Sequence, residues 1–167
     1  YTDFDLKGGT LVTYNVIEAM RRSGVKEIVF SSSGAVYGEP AVMPTPEDYG
    51  PILPISLYAA SKVACETLIT AFAHNYDMTA WIYRFGNVVG PNPTHGVIHD
   101  FVLRLREEPT RLVVLGDGTQ AKPYVYVEDT LEERDVPFPR DAIRSEDRGG
   151  IGIAVIDYTD TEAKVPA

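Results

Sequence analysis

Cysteine is almost absent: Cys65 stands alone in a chain of 167 residues. A lone thiol closes no internal disulfide and offers no cluster for a structural metal, which fits a reducing compartment and makes the cytoplasm the expected location. Basic residues are scarce as well. Lys plus Arg number 15 against 24 Asp plus Glu, a net charge of −9, so a polyanion would meet mostly repulsion and nucleic acid is not an expected ligand. Of three histidines, His95 and His99 stand four apart with Asp100 adjacent. Pro93 and Gly96 put His95 ahead of the helix that carries His99, and no metal site is expected. No apolar run approaches the ~20 residues that span a bilayer. The opening residues, Tyr1 to Lys7, are polar and acidic where a signal peptide is basic and then apolar. Neither membrane insertion nor export is expected.

What is present is a 44% hydrophobic chain, enough for one packed unit. From Thr10 to Ser23 apolar residues recur with a helical period, and Arg21, Arg22 and Gly24 mark the stop. Glu27 to Phe30 is a continuous β-branched and aromatic run, the pattern of a strand buried in a parallel sheet. Gly38 to Ser56 holds five prolines and no period, and reads as a long irregular loop. Ser56 is an N-cap for a helix over Leu57 to Tyr76, and Thr79 to Phe85 is a second buried strand. Val97 to Glu107 is an amphipathic helix. Arg111 to Leu115 and Tyr124 to Val127 read as two short strands flanking a hairpin-like turn at Gly116 to Gly118. Helix alternating with strand is the rhythm of a parallel α/β sheet. After Thr130 the character changes. Residues 128 to 148 hold eight acids and four arginines with almost no apolar period, the composition of a loosely draped segment, before one terminal strand at Ile151 to Ile156.

Tyr58 and Lys62 stand four apart on the expected second helix, so both side chains lie on one face about a turn from each other. A free phenol ionises near pH ~10, and its use as a base near neutrality needs a cation beside it. The spacing alone also fits an interfacial tyrosine with a solvated lysine. The run "FSSSGAVYG", Phe30 to Gly38, puts hydroxyls at the C-terminal end of a strand, where ligands sit in open α/β sheets. Cys65, a turn past Lys62, reads as a small packed residue.

These pieces together resemble one family. "NVIEAMRRSGVKEIVFSSSGAVYG", then "YAASK", "RFGNVVGP", "GVIHDF", "GDGTQ" and "YVYVED" look like the extended short-chain dehydrogenase/reductases, in the family's order and spacing, from about Gly9 to Asp129. The resemblance implies part of a doubly wound parallel-sheet NAD(P)-binding Rossmann-type fold, truncated. Residues 1–130 would be its catalytic part and residues 131–167 an acidic tail. It implies an NAD-dependent nucleotide-sugar epimerase of the UDP-glucose 4-epimerase type, in which hydride leaves C4 of the sugar and returns to the other face of a keto intermediate. Tyr58 would be the base, Lys62 would hold the nicotinamide ribose and ease ionisation of the phenol, and Ser33 would hydrogen-bond the reacting hydroxyl. Ser31, Ser32, Phe85 and Val88 would line the nicotinamide side together with Tyr58 and Lys62. Ser33, Asn87, Val97 and Lys122 would meet the nucleotide sugar, with Lys122 standing where the family commonly has an arginine facing pyrophosphate. A homodimer through the outer faces of the first two helices is implied too.

Dehydratases of the same family need an acid just after the active hydroxyl, and here Ser33, Gly34 and Ala35 offer none, which favours epimerisation or keto reduction. The family's glycine-rich strand–turn–helix, which holds pyrophosphate on backbone amides, has no counterpart. Gly8 and Gly9 follow no buried strand and read as a loop, and Gly9 stands where relatives carry an asparagine. The expectation is therefore a family member without its cofactor-gripping half. The alternatives are a non-catalytic scaffold or dimerisation piece, and a reductase of the same family.

Overall fold

The computed structural model describes residues 1–46, 48–118, 122 and 124–130, together with the backbone of 151–156. Helix α1, Val12–Ser23, ends where expected: Gly24 adopts the left-handed conformation (φ 73°), and Val25 N–H closes the last turn onto Met20 O at 3.0 Å. Arg21 and Arg22 sit in the last turn, where their charge complements the helix dipole and pairs with Glu18. The hydrogen bond and charge of Arg21 hold the Glu18 carboxyl below its ordinary pKa.

The helix begins earlier than its apolar period suggests. Leu6–Leu11 forms a π-helical segment that runs directly into α1, so Gly8 and Gly9, expected in a loop, lie inside a helix. The cause is tertiary. Ser61 Oγ, on the second helix, donates to Asp5 O at 2.8 Å and shares a 3.0 Å hydrogen bond with Thr10 Oγ1, tying this wider segment down despite glycine's poor helix propensity. A Cβ on Gly9 would stand 2.5 Å from Ser61 Oγ, whereas one on Gly8 would meet nothing within 4 Å. Gly9→Ala is therefore expected to cost about 1–3 kcal/mol. Gly8→Ala should add about 0.5–1 kcal/mol. Urea melts of the two variants check both signs.

Strand β1, Glu27–Ser33, pairs in parallel with β2, Thr79–Phe85, and β2 pairs in parallel with the last strand, β5, Ile151–Ile156, giving the order β1-β2-β5. The second helix, α2, spans Leu57–Tyr76, with Ser56 Oγ capping Ala59 N–H at 3.1 Å. It packs on α1, β1 and β2, and the core between them is Ile17, Ile69, Ala73, Met78, Ala80 and Ile82. Ala80, Ile82 and Arg84 alternate onto one face of β2, as Ile28, Phe30 and Ser32 do on β1. Both apolar rows thus end in a polar residue at the C-terminal end of the sheet.

Three expectations are corrected here. β1 extends to Ser33, but it is only partly covered: Val29 is 57% exposed, and among the described residues β1 has β2 as its one partner strand. Arg111 to Leu115 forms no strand. It is held instead by Arg104, whose Nη1 donates to Val113 O at 2.6 Å from helix α3, Val97–Glu107. The strand at Tyr124–Tyr126, β4, is consequently not half of a hairpin. It pairs in parallel with Asn87–Val89, β3, a strand the sequence pattern did not reveal, and the partners are separated by α3 as parallel strands must be by a long crossover. Of the segment expected to be loosely draped, residues 128 to 148, all but the first three lie outside the described residues. The terminal strand at Ile151–Ile156 forms as expected. Among the described residues no helix is long and apolar enough to cross a membrane.

Candidate active site

The site is assembled where β1 ends and α2 begins. Tyr58 lies in the first turn of α2 with 45% of its surface exposed, and Lys62 follows one turn later. The ammonium of Lys62 donates to the carbonyl of Ser31 at 2.7 Å and lies 5.0 Å from the centre of the Phe30 ring and 5.8 Å from that of Tyr58. An ammonium carries three donors, so after this bond two remain for a ligand's hydroxyls. Phenol and ammonium therefore occupy one side of α2, facing the open end of the sheet.

Ser33 closes β1 opposite Phe85, the last residue of β2, whose ring lies 6.2 Å from that of Tyr83. The hydroxyl oxygen of Ser33 accepts from Ala35 N–H at 3.2 Å and starts the short 3₁₀ turn Gly34–Tyr37, leaving the hydroxyl proton to donate elsewhere. No hydrogen bond joins Ser33 to Tyr58 or Lys62 among the described residues. Ser32 sits differently from its neighbours: its side chain is buried, turned onto the α2 face, and donates to Glu66 Oε1 at 2.5 Å, so only its backbone is left for a ligand. Asn87 and Val88 belong to the separate two-stranded sheet, Val88 being 40% exposed. Val97 opens α3 and is exposed, as is Lys122. Neither Val97 nor Lys122 has a hydrogen bond or ion pair to the cluster among the described residues. His95 precedes α3, and no three His, Cys, Asp or Glu side chains gather as metal ligands among the described residues.

Sequence reasoning missed what lies beneath. Arg84 of β2 forms a two-pronged ion pair with Glu66 of α2, Nε to Oε1 at 3.0 Å and Nη2 to Oε2 at 2.7 Å. Its Nη1 donates to the Tyr37 hydroxyl at 2.9 Å, and the guanidinium lies 4.9 Å from the Tyr37 ring centre. All four members, Ser32, Tyr37, Glu66 and Arg84, are at most 6% exposed. Burial disfavours the guanidinium's charge, but the hydrogen bonds to Glu66 and Tyr37 outweigh it and hold the pKa of Arg84 above the ordinary arginine value. One signal was present in the sequence: an arginine inside the run "TAWIYRF", read as a buried strand, requires a buried acid.

With this geometry in place, comparison with known proteins finds consistent relatives. The model of the NAD dependent epimerase/dehydratase family matches residues 6–132. The UDP-glucose 4-epimerase of Mycolicibacterium smegmatis is 36% identical over 134 residues, covering 77% of this chain and 42% of that protein. A crystal structure of a UDP-galactose 4-epimerase superposes with a TM-score of 0.75 at 34% identity, covering 93% of this chain and 50% of that one. The Thermus thermophilus UDP-glucose 4-epimerase in complex with NAD gives 0.64 at 32% identity, over 84% and 46%. The chain spans about two fifths or less of the length of the curated relatives it matches.

Proposed function

The chain belongs to the NAD dependent epimerase/dehydratase family, and from that premise we propose that it carries the catalytic elements of an NAD-dependent epimerase acting at C4 of a UDP-linked hexose. The single observation that supports this reading best is the Lys62 ammonium between the Ser31 carbonyl and the Tyr58 ring at the open end of the parallel sheet. The residues present fit one end of the cofactor. Lys62 keeps two N–H donors for ribose hydroxyls, beside an exposed phenol. NAD, when bound, supplies the acceptor and then the donor of hydride. Tyr58 Oη takes the proton of the sugar's 4-hydroxyl and returns it after the sugar has presented its other face. Ser33 Oγ donates to that same oxygen and keeps it within reach. The shared contact with Ser31 holds Lys62 against β1, so the ammonium stays directed at the ligand rather than swinging into solvent. Asn87, Val97 and Lys122 are assigned to the nucleotide sugar, and the backbone of Ser31 and Ser32 with Phe85 and Val88 to the nicotinamide side. The exposed Leu11, Val12, Tyr14 and Val16 on the leading helix are assigned to a homodimer contact.

A second reading, a scaffold that does not bind NAD, rests on one observation: Gly8 and Gly9 are helical and form no phosphate-binding turn. Two measurements decide between them. Interconversion of UDP-glucose and UDP-galactose with added NAD is expected, as is calorimetric NAD binding. A folded chain that binds no NAD sinks the epimerase reading in favour of the scaffold.

A further inference from the structure

Lys62 and Glu66 stand four apart on α2, the spacing at which a lysine and a glutamate ordinarily pair, with about 5–6 Å between their Cβ atoms. Both side chains reach for adjacent residues of β1: the ammonium for the carbonyl of Ser31, the carboxylate for the hydroxyl of Ser32. Yet they do not pair. Both carboxylate oxygens of Glu66 are taken by the Arg84 guanidinium, which stands on β2 directly opposite Ser32 in the sheet register. Arg84 is itself oriented by the Tyr37 hydroxyl, on the turn that follows Ser33. A planar fork suits a carboxylate as a point-like ammonium does not, so in competition for Glu66 the guanidinium wins.

We infer that Arg84 is a positioning residue: it sequesters the carboxylate of Glu66 so that the ammonium of Lys62, one helical turn away, stays on Ser31 and turned toward the ligand. This deepens the proposed function, on which its catalytic meaning rests, but the geometry it asserts is testable without turnover. Without Arg84, the carboxylate is left in a buried site one helical turn from Lys62, and an ion pair between them would draw the ammonium along the helix and away from Tyr58.

The test is trace acylation of lysine amines in the whole chain, with the extent at Lys62 read by peptide mass spectrometry relative to the exposed Lys7. An amine reacts only while unprotonated, and a carboxylate at ion-pair distance holds its proton, so Arg84→Gln is expected to slow labelling of Lys62 about tenfold. The double variant Glu66→Gln/Arg84→Gln has no carboxylate to divert the lysine and should return to within about twofold of wild type. A purely structural role for Arg84 predicts labelling of Lys62 that rises in Arg84→Gln, as a loosened site exposes the amine, rather than falls. If Arg84→Gln does not fold, Arg84→Lys keeps the charge and loses the fork, and a fall of about twofold to threefold is expected. Unchanged labelling in the folded single variant, or a double variant as slow as the single one, overturns the inference. Failure of the epimerase reading shows separately, as wild-type protein that neither binds NAD nor turns over.

Discussion

Tyr58→Phe is expected to slow interconversion of UDP-glucose and UDP-galactose by about a hundredfold to ten-thousandfold, the range that a positioned acid or base contributes. The substitution removes one oxygen and leaves the ring that packs beside Lys62. Because Tyr58 is 45% exposed and none of the hydrogen bonds in the described structure uses its hydroxyl, stability should change by less than about 0.5 kcal/mol. The pairing of a large kinetic effect with an unchanged melting temperature is what separates a chemical role from a structural one. Equal turnover in the two proteins would remove the hydroxyl from the mechanism. Loss of turnover together with an early melt would point to packing instead.

Arg84→Met should have the largest effect on folding. The side chains of Arg84 and Glu66 are both buried, and removing one partner leaves the other charge without its counter-ion. Breaking such a pair costs about 3–5 kcal/mol, a large share of a domain's total stability. Replacing both, as Glu66→Leu/Arg84→Met, takes the charges out together and should recover most or all of that loss, since well-packed apolar residues often match a buried pair. Urea denaturation of the three proteins decides the matter. A double variant no more stable than Arg84→Met would mean that the site cannot repack, and that Ser32 and Tyr37 matter to the fold as much as the charges do.

Helix α2 and strand β2 were legible to the residue, because a Ser cap, a long alanine-containing apolar pattern and a β-branched and aromatic run are local signals. Helix α3 was legible too, from its amphipathic period. The motif from Phe30 to Gly38 and the Tyr58–Lys62 spacing pointed to the C-terminal end of β1, where the structure brings Lys62 onto Ser31, since the strand and helix that carry them are set by those signals. The pairing of Tyr124–Tyr126 with Asn87–Val89 was not legible, because a parallel partner lies beyond a helix and nothing in a short run names it. Nor was the helical state of Gly8 and Gly9, which depends on Ser61, more than fifty residues away.

By itself, then, the chain's order of residues determined the alternating elements, the acidic balance and the family. It also put Tyr58 and Lys62 on one face, because a helical period is a property of neighbours in sequence. The tertiary structure alone decided where the ammonium rests, which serine faces inward, and that Glu66 belongs to Arg84 instead of to the lysine four residues before it. Those choices are competitions between groups that meet only when α2 lies across β1 and β2, and burial strengthens whichever partner has the better geometry.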